Sequence, residues 1–428
     1  MDSSTNNSDS FQPIYNLITE VETLEQYRKG GYHPVHLGDV FHDRYQVFHK
    51  IGFGSYSTVW LAYDTKDCRN VALKVTGADF MENDPEAELL QTLTDGDDTH
   101  TGKRYVNTLL DKFFVDGPNG RHLCLVMDVA AMSVMGARST EGFEMTTARV
   151  MMAQAILALS YVHSCGIVHA DLTSSNMLIQ YPDIATMTKD EVYKRIGNPE
   201  VIPITRIDGQ PLGPESPRYA VEPRCFLLPA TKLLQNIEIT ISDFGVGFKE
   251  SEPQELLTGA CSIPPESVLI CQKGPVGRPA DIWTLACTLF NIVQPEDLFV
   301  HWSPEPDDLM IGWITAIGKP PQEVWDAWEG KSEHFNEDGS YKDSEIEDMV
   351  KSVEQRLRGI YGPEGDGGDF GNGSFPSVDN RSDFSEEEWQ ALIALLMSML
   401  KWDPSDRPTA EDLLKSKWMV EFGYPALE

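Results

Sequence analysis

The groups best suited to chemistry in this chain are the carboxylates and the amide of two short stretches. His169-Ala170-Asp171-Leu172-Thr173-Ser174-Ser175-Asn176 sets an Asp and an Asn five residues apart, and Asp243-Phe244-Gly245 follows downstream. Asp171 is suited to accept or orient the proton of a substrate hydroxyl. Asn176 offers a neutral oxygen and Asp243 a carboxylate, the hard donors that a magnesium ion takes. Upstream, Gly52-Phe53-Gly54-Ser55-Tyr56-Ser57-Thr58-Val59 is a glycine turn. Its backbone N–H groups can approach phosphate oxygens because no Cβ stands in the way. Lys74 lies in the apolar run Val71-Ala72-Leu73-Lys74-Val75, where burial is costly without a counter-charge. Glu86 is expected to supply it by fixing the Lys74 rotamer, and Glu88 is less well placed. The chemistry this set fits is phosphoryl transfer, whose transition state is stabilised mainly by positioning and cationic charge.

Taken singly, each element has an ordinary explanation. A G-x-G hairpin needs no ligand, an edge-strand lysine can face solvent, and an isolated H-x-D is common. The ordered series Gly52/Gly54, Lys74, Glu86, Asp171, Asn176, Asp243 carries the reading. A strand rather than a helix follows the glycine turn, which separates it from a dinucleotide fingerprint.

Short β-prone runs at 45–51, 58–62 and 71–75 predict an antiparallel meander, joined by strands at 109–115 and 122–126. Asp84-Pro85-Glu86 predicts a short helix, with Asp84 as N-cap and Pro85 inside the first turn. These form a small β-rich lobe with one helix, spanning 27–127 with its lead-in. From 128 to 420 the character is helical, so the expected class is α+β with two lobes. In 146–164, Val150, Ala153, Leu157 and Tyr161 recur at helical spacing, and 280–293 is apolar nearly all round. Ser385 with Glu388, and Thr409 with Asp412, read as capping boxes that open helices reaching residues 399 and 418. Residues 1–26 read as a mobile acidic and polar tail, 181–235 as a Pro-rich insertion, 362–383 as a flexible loop and 421–428 as a C-terminal tail.

Composition narrows the partners. The 428 residues carry a net charge of −33, with 41% hydrophobic and 24% charged residues. Such acidity disfavours nucleic acid and anionic membranes and favours basic partners, although solubility alone would also account for it. No uninterrupted apolar run approaches the roughly 20 residues of a membrane span. The N-terminus lacks the pattern of a secretory signal, and seven cysteines without a C-x-x-C pair read as reduced thiols. The expected setting is cytoplasmic or nuclear.

With these motifs in order, residues 42–420 resemble a eukaryotic protein kinase. More narrowly, they are similar to the SR-protein kinases and their divergent fungal relatives. The resemblance is carried by the lead-in Tyr27-Arg28-Lys29-Gly30-Gly31-Tyr32-His33 through Arg44-Tyr45 and by the glycine turn running on to Trp60. It is carried further by Asn119-Gly120 through Asp128-Val129, by Pro279-Ala280-Asp281-Ile282-Trp283, and by the spacer between the catalytic loop and Asp243. The resemblance implies a serine/threonine kinase acting on Arg/Ser-rich tails of splicing factors, with ATP and magnesium. Ile51 through Val59, Ala72, Lys74, Met127, Asp128 and Ala130 would then contact the nucleotide. Met127 would stand behind the adenine, with 128–130 as hinge. Glu266 in Pro264-Pro265-Glu266 would pair with Arg407, and Asp281 would be buried in the central helix. Acidic residues Glu296, Asp297, Glu305, Asp307 and Asp308 are candidates for docking basic tails, or a solvated acidic loop.

Two positions depart from the common kinase spelling. Ala170 replaces Arg, as SR-protein kinases allow, and implies activity without a phosphorylated activation loop. Thr173 replaces Lys and can donate only a neutral hydrogen bond. Thr173 leaves open a nucleotide-binding scaffold with weak or no transfer. A small-molecule phosphotransferase is the other alternative, and the Glu266/Arg407 and Asp281 positions speak against it. A monomer is expected.

Overall fold

Along residues 45–76 side chains alternate between a large apolar set and its opposite, as a half-buried sheet demands. Val47, Trp60, Ala62, Val71, Leu73 and Val75 fall on one side and form a core with Tyr45, Phe113, Cys124 and Val126. The computed structural model describes residues 13–83, 85–138, 143–227, 237–252, 254, 256, 259–268, 276–294, 296–299, 305–343, 351–359 and 384–428. Strands β1 (Val40–Phe41), β2 (Tyr45–Phe53), β3 (Ser57–Asp64), β4 (Arg69–Thr76), β5 (Leu109–Gly117) and β6 (Gly120–Met127) pair antiparallel in the order β1-β2-β3-β4-β6-β5. The predicted strands are all present, each longer than expected.

The chain forms two compact units, each discontinuous in sequence. The first contains the described residues before Pro85, Leu109–Val129 and Pro182–Phe226. The second contains Pro85–Thr108, Ala130–Tyr181 and the described residues from Leu227 onward. The Pro-rich insertion, expected in the large lobe, thus folds with the β-sheet. Side chains on β-strands capture its irregular backbone. Asn70 Nδ2 donates to the carbonyls of Ile184 (2.8 Å) and Met187 (2.7 Å). The insertion carries a helix, Lys189–Ile196, closed by a Thr188/Glu191 capping box, and a two-stranded ribbon pairing Val201–Pro203 with Tyr219–Val221. Tyr193 hydroxyl donates to the Phe48 carbonyl (3.0 Å) and Arg224 N–H to that of Lys50 (3.0 Å), both on β2.

The expected mobile tail is also shorter than 1–26. Tyr15 and Leu24 are each 5% exposed and join Tyr27, Tyr32, Ile204 and Ala220 in a second core. Tyr15 bridges to Arg206, so apolar anchors order a stretch whose composition looked polar. Residues 1–12 and the predicted loop 362–383 lie outside the described residues.

In the second unit, Met145–Ser164 is a 20-residue helix buried on nearly every side. By length and composition alone it is long and apolar enough to cross a bilayer, although its strongest window is 83% buried. It packs on the central helix Arg278–Val293, itself buried along its length. Helix Glu386–Met399 forms only half of its expected capping box. Ser385 accepts the Glu388 N–H (3.2 Å), but the Glu388 carboxylate turns to the Arg149 guanidinium in two bonds of 2.7 Å. The Thr409/Asp412 box forms, yet its helix stops at Leu413. Ser416 takes over the backbone there: its N–H donates to Leu413 O (3.1 Å) and its hydroxyl accepts the Met419 N–H (3.2 Å). The chain end then runs helically through Met419–Gly423 and Tyr424–Leu427 against Met145–Ser164.

Candidate active site

In the first unit, strand register collects the predicted nucleotide-facing residues on one sheet face. Val59 stands opposite both Gly52 and Lys74, and Ala72 stands opposite Met127. Because alternate residues of a strand share a face, Ala72 and Lys74 lie together, opposite the face of Val71, Leu73 and Val75. The turn between β2 and β3 presents Gly54, Ser55 and Tyr56 to solvent. An added Cβ at Gly54 would meet nothing within 4 Å, and one at Gly52 only the Val59 Cβ at 3.8 Å, so the turn has room for a phosphate. Ser57 and Thr58, at the start of β3, are buried. Asp128 directs its carboxylate to Arg69, a pair that the spacing did not suggest. The chain leaves this unit after Val129, within the expected hinge, and Ala130 opens a short strand, Ala130–Ser133, of the second unit.

In the second unit, the 169–176 loop is held from behind by the central helix. Asp281, 0% exposed, accepts the His169 and Ala170 N–H groups, each at 2.8 Å, and the His163 Nε2 at 3.0 Å. Thr288 adds a bond from its hydroxyl to the Leu172 carbonyl (2.7 Å). Ala170 is held at φ +67°, a left-handed conformation costing about 1–2 kcal/mol for a residue with a Cβ. Two charge-assisted bonds from one buried carboxylate offset that strain. His169 is buried against Phe244, with ring centroids 4.7 Å apart. Its Nε2 donates to Ser242 O (3.1 Å) and its Nδ1 accepts the Asp171 N–H (3.3 Å), which fixes the tautomer.

These contacts bring the predicted oxygen donors into one network. Asn176 Nδ2 donates to the Asp171 carboxylate and carbonyl, both at 2.8 Å, leaving the amide oxygen as the face available to a cation. The Asn176 carbonyl accepts the N–H (2.9 Å) and the hydroxyl (3.0 Å) of Ser242, the residue before Asp243. Asp243 is exposed at φ +64°, while Phe244 beside it is fully buried. Thr173 is half-buried, and among the described residues its hydroxyl makes no hydrogen bond. No group of three or more His, Cys, Asp or Glu able to hold a metal occurs among the described residues. The Asp243 carboxylate and the Asn176 amide oxygen are hard donors, of the kind that suits a divalent cation drawing its other ligands from phosphate and water.

Glu86 belongs to this unit and Lys74 to the first. Glu86 opens the helix Glu86–Asp95 and is 1% exposed, where an ionised carboxylate requires a partner. Glu88 projects outward to Lys249, in accord with its lesser expected role. Pro85 occupies the N-cap of this helix rather than its first turn, and Asp84 lies outside the described residues. The expected Glu266–Arg407 pair is present and bidentate, at 2.7 and 2.6 Å. Of the acidic docking candidates, Asp297 accepts from Asn291 Nδ2 (3.1 Å), Asp307 accepts from Trp328 Nε1 (2.5 Å), and Glu296 is half-buried.

Comparison with known proteins agrees with this geometry. Residues 45–189 and 229–419 match the family described as the protein kinase domain, and the gap between the two blocks falls in the inserted segment. The chain is 28% identical to a serine/threonine-protein kinase SRPK of Physarum polycephalum over 422 residues, covering 94% of this chain and 92% of that one. It is 41% identical to the protein kinase dsk1 of Schizosaccharomyces pombe over 169 residues, 38% of this chain and 31% of that protein. It is 35% identical to SRSF protein kinase 3 of Homo sapiens over 167 residues, 37% of this chain and 30% of that protein.

Proposed function

The chain belongs to the protein kinase family and within it to the SR-protein kinases, and on that premise we propose that it transfers the γ-phosphate of ATP to serines of basic, Arg/Ser-rich proteins such as splicing factors. In this reading Asp171 accepts or orients the proton of the attacking serine hydroxyl. The turn at Gly52–Tyr56 and the Lys74 ammonium bind phosphate oxygens. Ile51, Val59, Ala72 and Met127 flank the adenine. Asn176 and Asp243 would hold magnesium, which supplies positive charge against the phosphate oxygens when bound.

The observation that supports this most is the clamp of Asp281 on the His169 and Ala170 amides. It costs a buried carboxylate and a strained Ala170, and its effect is to fix the loop that carries Asp171 and Asn176. The net charge of −33 supports a basic substrate, with Glu305 and Asp308 as further candidates for docking it. The comparisons lend no support to a scaffold without activity, since the relatives carry the names of kinases.

The test is transfer from Mg-ATP to an Arg-Ser repeat peptide. Wild type is expected to phosphorylate the peptide, with a rate that falls steeply as salt is raised. Asp171→Ala is expected to keep the fold and lose about 10²–10⁴-fold in rate. ATP binding without transfer to this peptide or to any basic protein would overturn the reading.

A further inference from the structure

The lead-in that carries the family resemblance takes no part in the chemistry above, yet it is built with unusual constraint. Gly30 has φ +84°, and an added Cβ there would land on the Asp79 carboxylate; at Gly31 it would land on the Gln26 carbonyl oxygen. Only glycines let the chain fold back so tightly. The fold-back is fastened on both sides. Gly30 N–H donates to Asn119 O (2.7 Å), and Asn119 Nδ2 donates to the carbonyls of Tyr32 (2.6 Å) and of Glu215 in the insertion (2.8 Å).

What this fixes is Tyr32. Its ring is 3% exposed and edge-on to Tyr27 at 5.7 Å. The Tyr27 hydroxyl donates to Glu22, which is paired with Lys50 on β2. The Tyr32 hydroxyl reaches the glycine turn and donates to Gly54 O (2.7 Å) and Ser55 O (3.0 Å), one proton shared between two acceptors. Burial and Glu22 push this hydroxyl up to about 12, so it remains a donor at any working pH.

In a trans peptide the N–H points opposite to its C=O, and the described residues include no cis bond. Anchoring the carbonyls of Gly54 and Ser55 on the lead-in side therefore turns the N–H groups of Ser55 and Tyr56 the other way. Among the described residues neither N–H meets an acceptor, and both residues are exposed. We propose that Tyr32 is a positioning residue whose hydroxyl pre-orients the Ser55 and Tyr56 amides for the phosphates of the nucleotide. This rests on the ATP-binding reading above. Without the bond two peptide planes are released, and ordering them again is charged against phosphate binding alone.

Calorimetric titration of wild type and Tyr32→Phe with ATP and with adenosine tests this. The variant should bind ATP about 2–10-fold more weakly, the range of one lost hydrogen bond, and adenosine equally well. KM for ATP should rise by the same factor while kcat and KM for peptide hold. Tyr27→Phe, which removes a hydroxyl from the same cluster, should leave the ratio of ATP to adenosine affinity unchanged. Unaltered ATP affinity in Tyr32→Phe, or equal losses for both ligands, overturns the proposal while leaving the kinase reading intact. A wild type that binds no ATP overturns both. If Tyr32→Phe does not fold, hydrogen exchange on wild type decides: the Ser55 and Tyr56 amides must gain protection with ATP and not with adenosine, and no such gain overturns the proposal.

Discussion

Lys50–Glu22 in the first unit and Arg407–Glu266 in the second are both ion pairs closed to solvent, yet they are satisfied very differently. Arg407 spends its planar fork fully: two bonds to Glu266, one to Pro279 O (2.8 Å) and one to Lys401 O (3.0 Å), with its guanidinium 5.0 Å from the Trp283 ring. Lys50 makes a bond to Glu22 and otherwise faces the rings of Phe53 and Trp60 at 5.5 and 5.3 Å. Burial pushes its ammonium below the usual lysine range. The contrast teaches that burial of charge serves two ends here. The arginine pair is a permanent fastening of the 266 segment. The lysine pair sits two residues before the glycine turn at Gly52, and is the softer of the two.

The sharpest way to break this contrast is to remove each cation. Arg407→Ala should lower the unfolding free energy by about 3–5 kcal/mol in urea denaturation, because it strands a buried carboxylate and two carbonyls. Lys50→Met should cost less, about 1–3 kcal/mol, since Glu22 keeps the Tyr27 hydroxyl as a partner. The double change Lys50→Met with Glu22→Leu should recover most of that loss. Equal costs for the two single variants would erase the distinction.

A smaller effect should appear with pH. Burial, with His122 and His36 nearby, holds the His33 imidazole down to about 4. The unfolded chain, with an ordinary histidine near 6.5, then binds more protons than the folded one between those values. Stability from this group is therefore full above pH 6.5 and is lost as pH falls toward 4. At pH 5 the loss should be about 1–2 kcal/mol relative to pH 7.5, and His33→Gln should flatten that part of the curve. An unchanged slope in the variant would assign the pH response elsewhere.

The site was more legible from the residues than the architecture around it. Asp171, Asn176 and Asp243 stand out by residue type and spacing, and the structure joins Asp171 to Asn176 and Asn176 to the residue before Asp243 by hydrogen bonds. The strands and the two long helices announce themselves by periodicity. What periodicity cannot register is irregular backbone held by single side chains. Asn70, Tyr193 and Asn119 each anchor a carbonyl or two, and together they decide that the Pro-rich insertion joins the sheet rather than the helical unit. Glu388 shows the complementary failure: its spacing from Ser385 suits a capping box, but the half-buried guanidinium of Arg149 outbids the backbone amide. The one signal that could have exposed the role of Tyr32 was the Gly30-Gly31 pair before it, since two adjacent glycines ahead of an aromatic residue mark a sharp reversal of the chain.

The first unit draws on three separate stretches of chain, and this sets an order of events during synthesis. Its lead-in and first strands emerge early, but the partners of Tyr15, Tyr27 and Tyr32 at Ile204 and Ala220 are translated far later. From the end of its first stretch at residue 84 the unit closes only at Phe226, about 140 residues later, a wait of roughly 7–30 s at ordinary ribosomal speed. During that interval a tyrosine-rich apolar face is uncovered on the nascent chain. The lead-in therefore cannot bury these side chains in their final core until the insertion has been made.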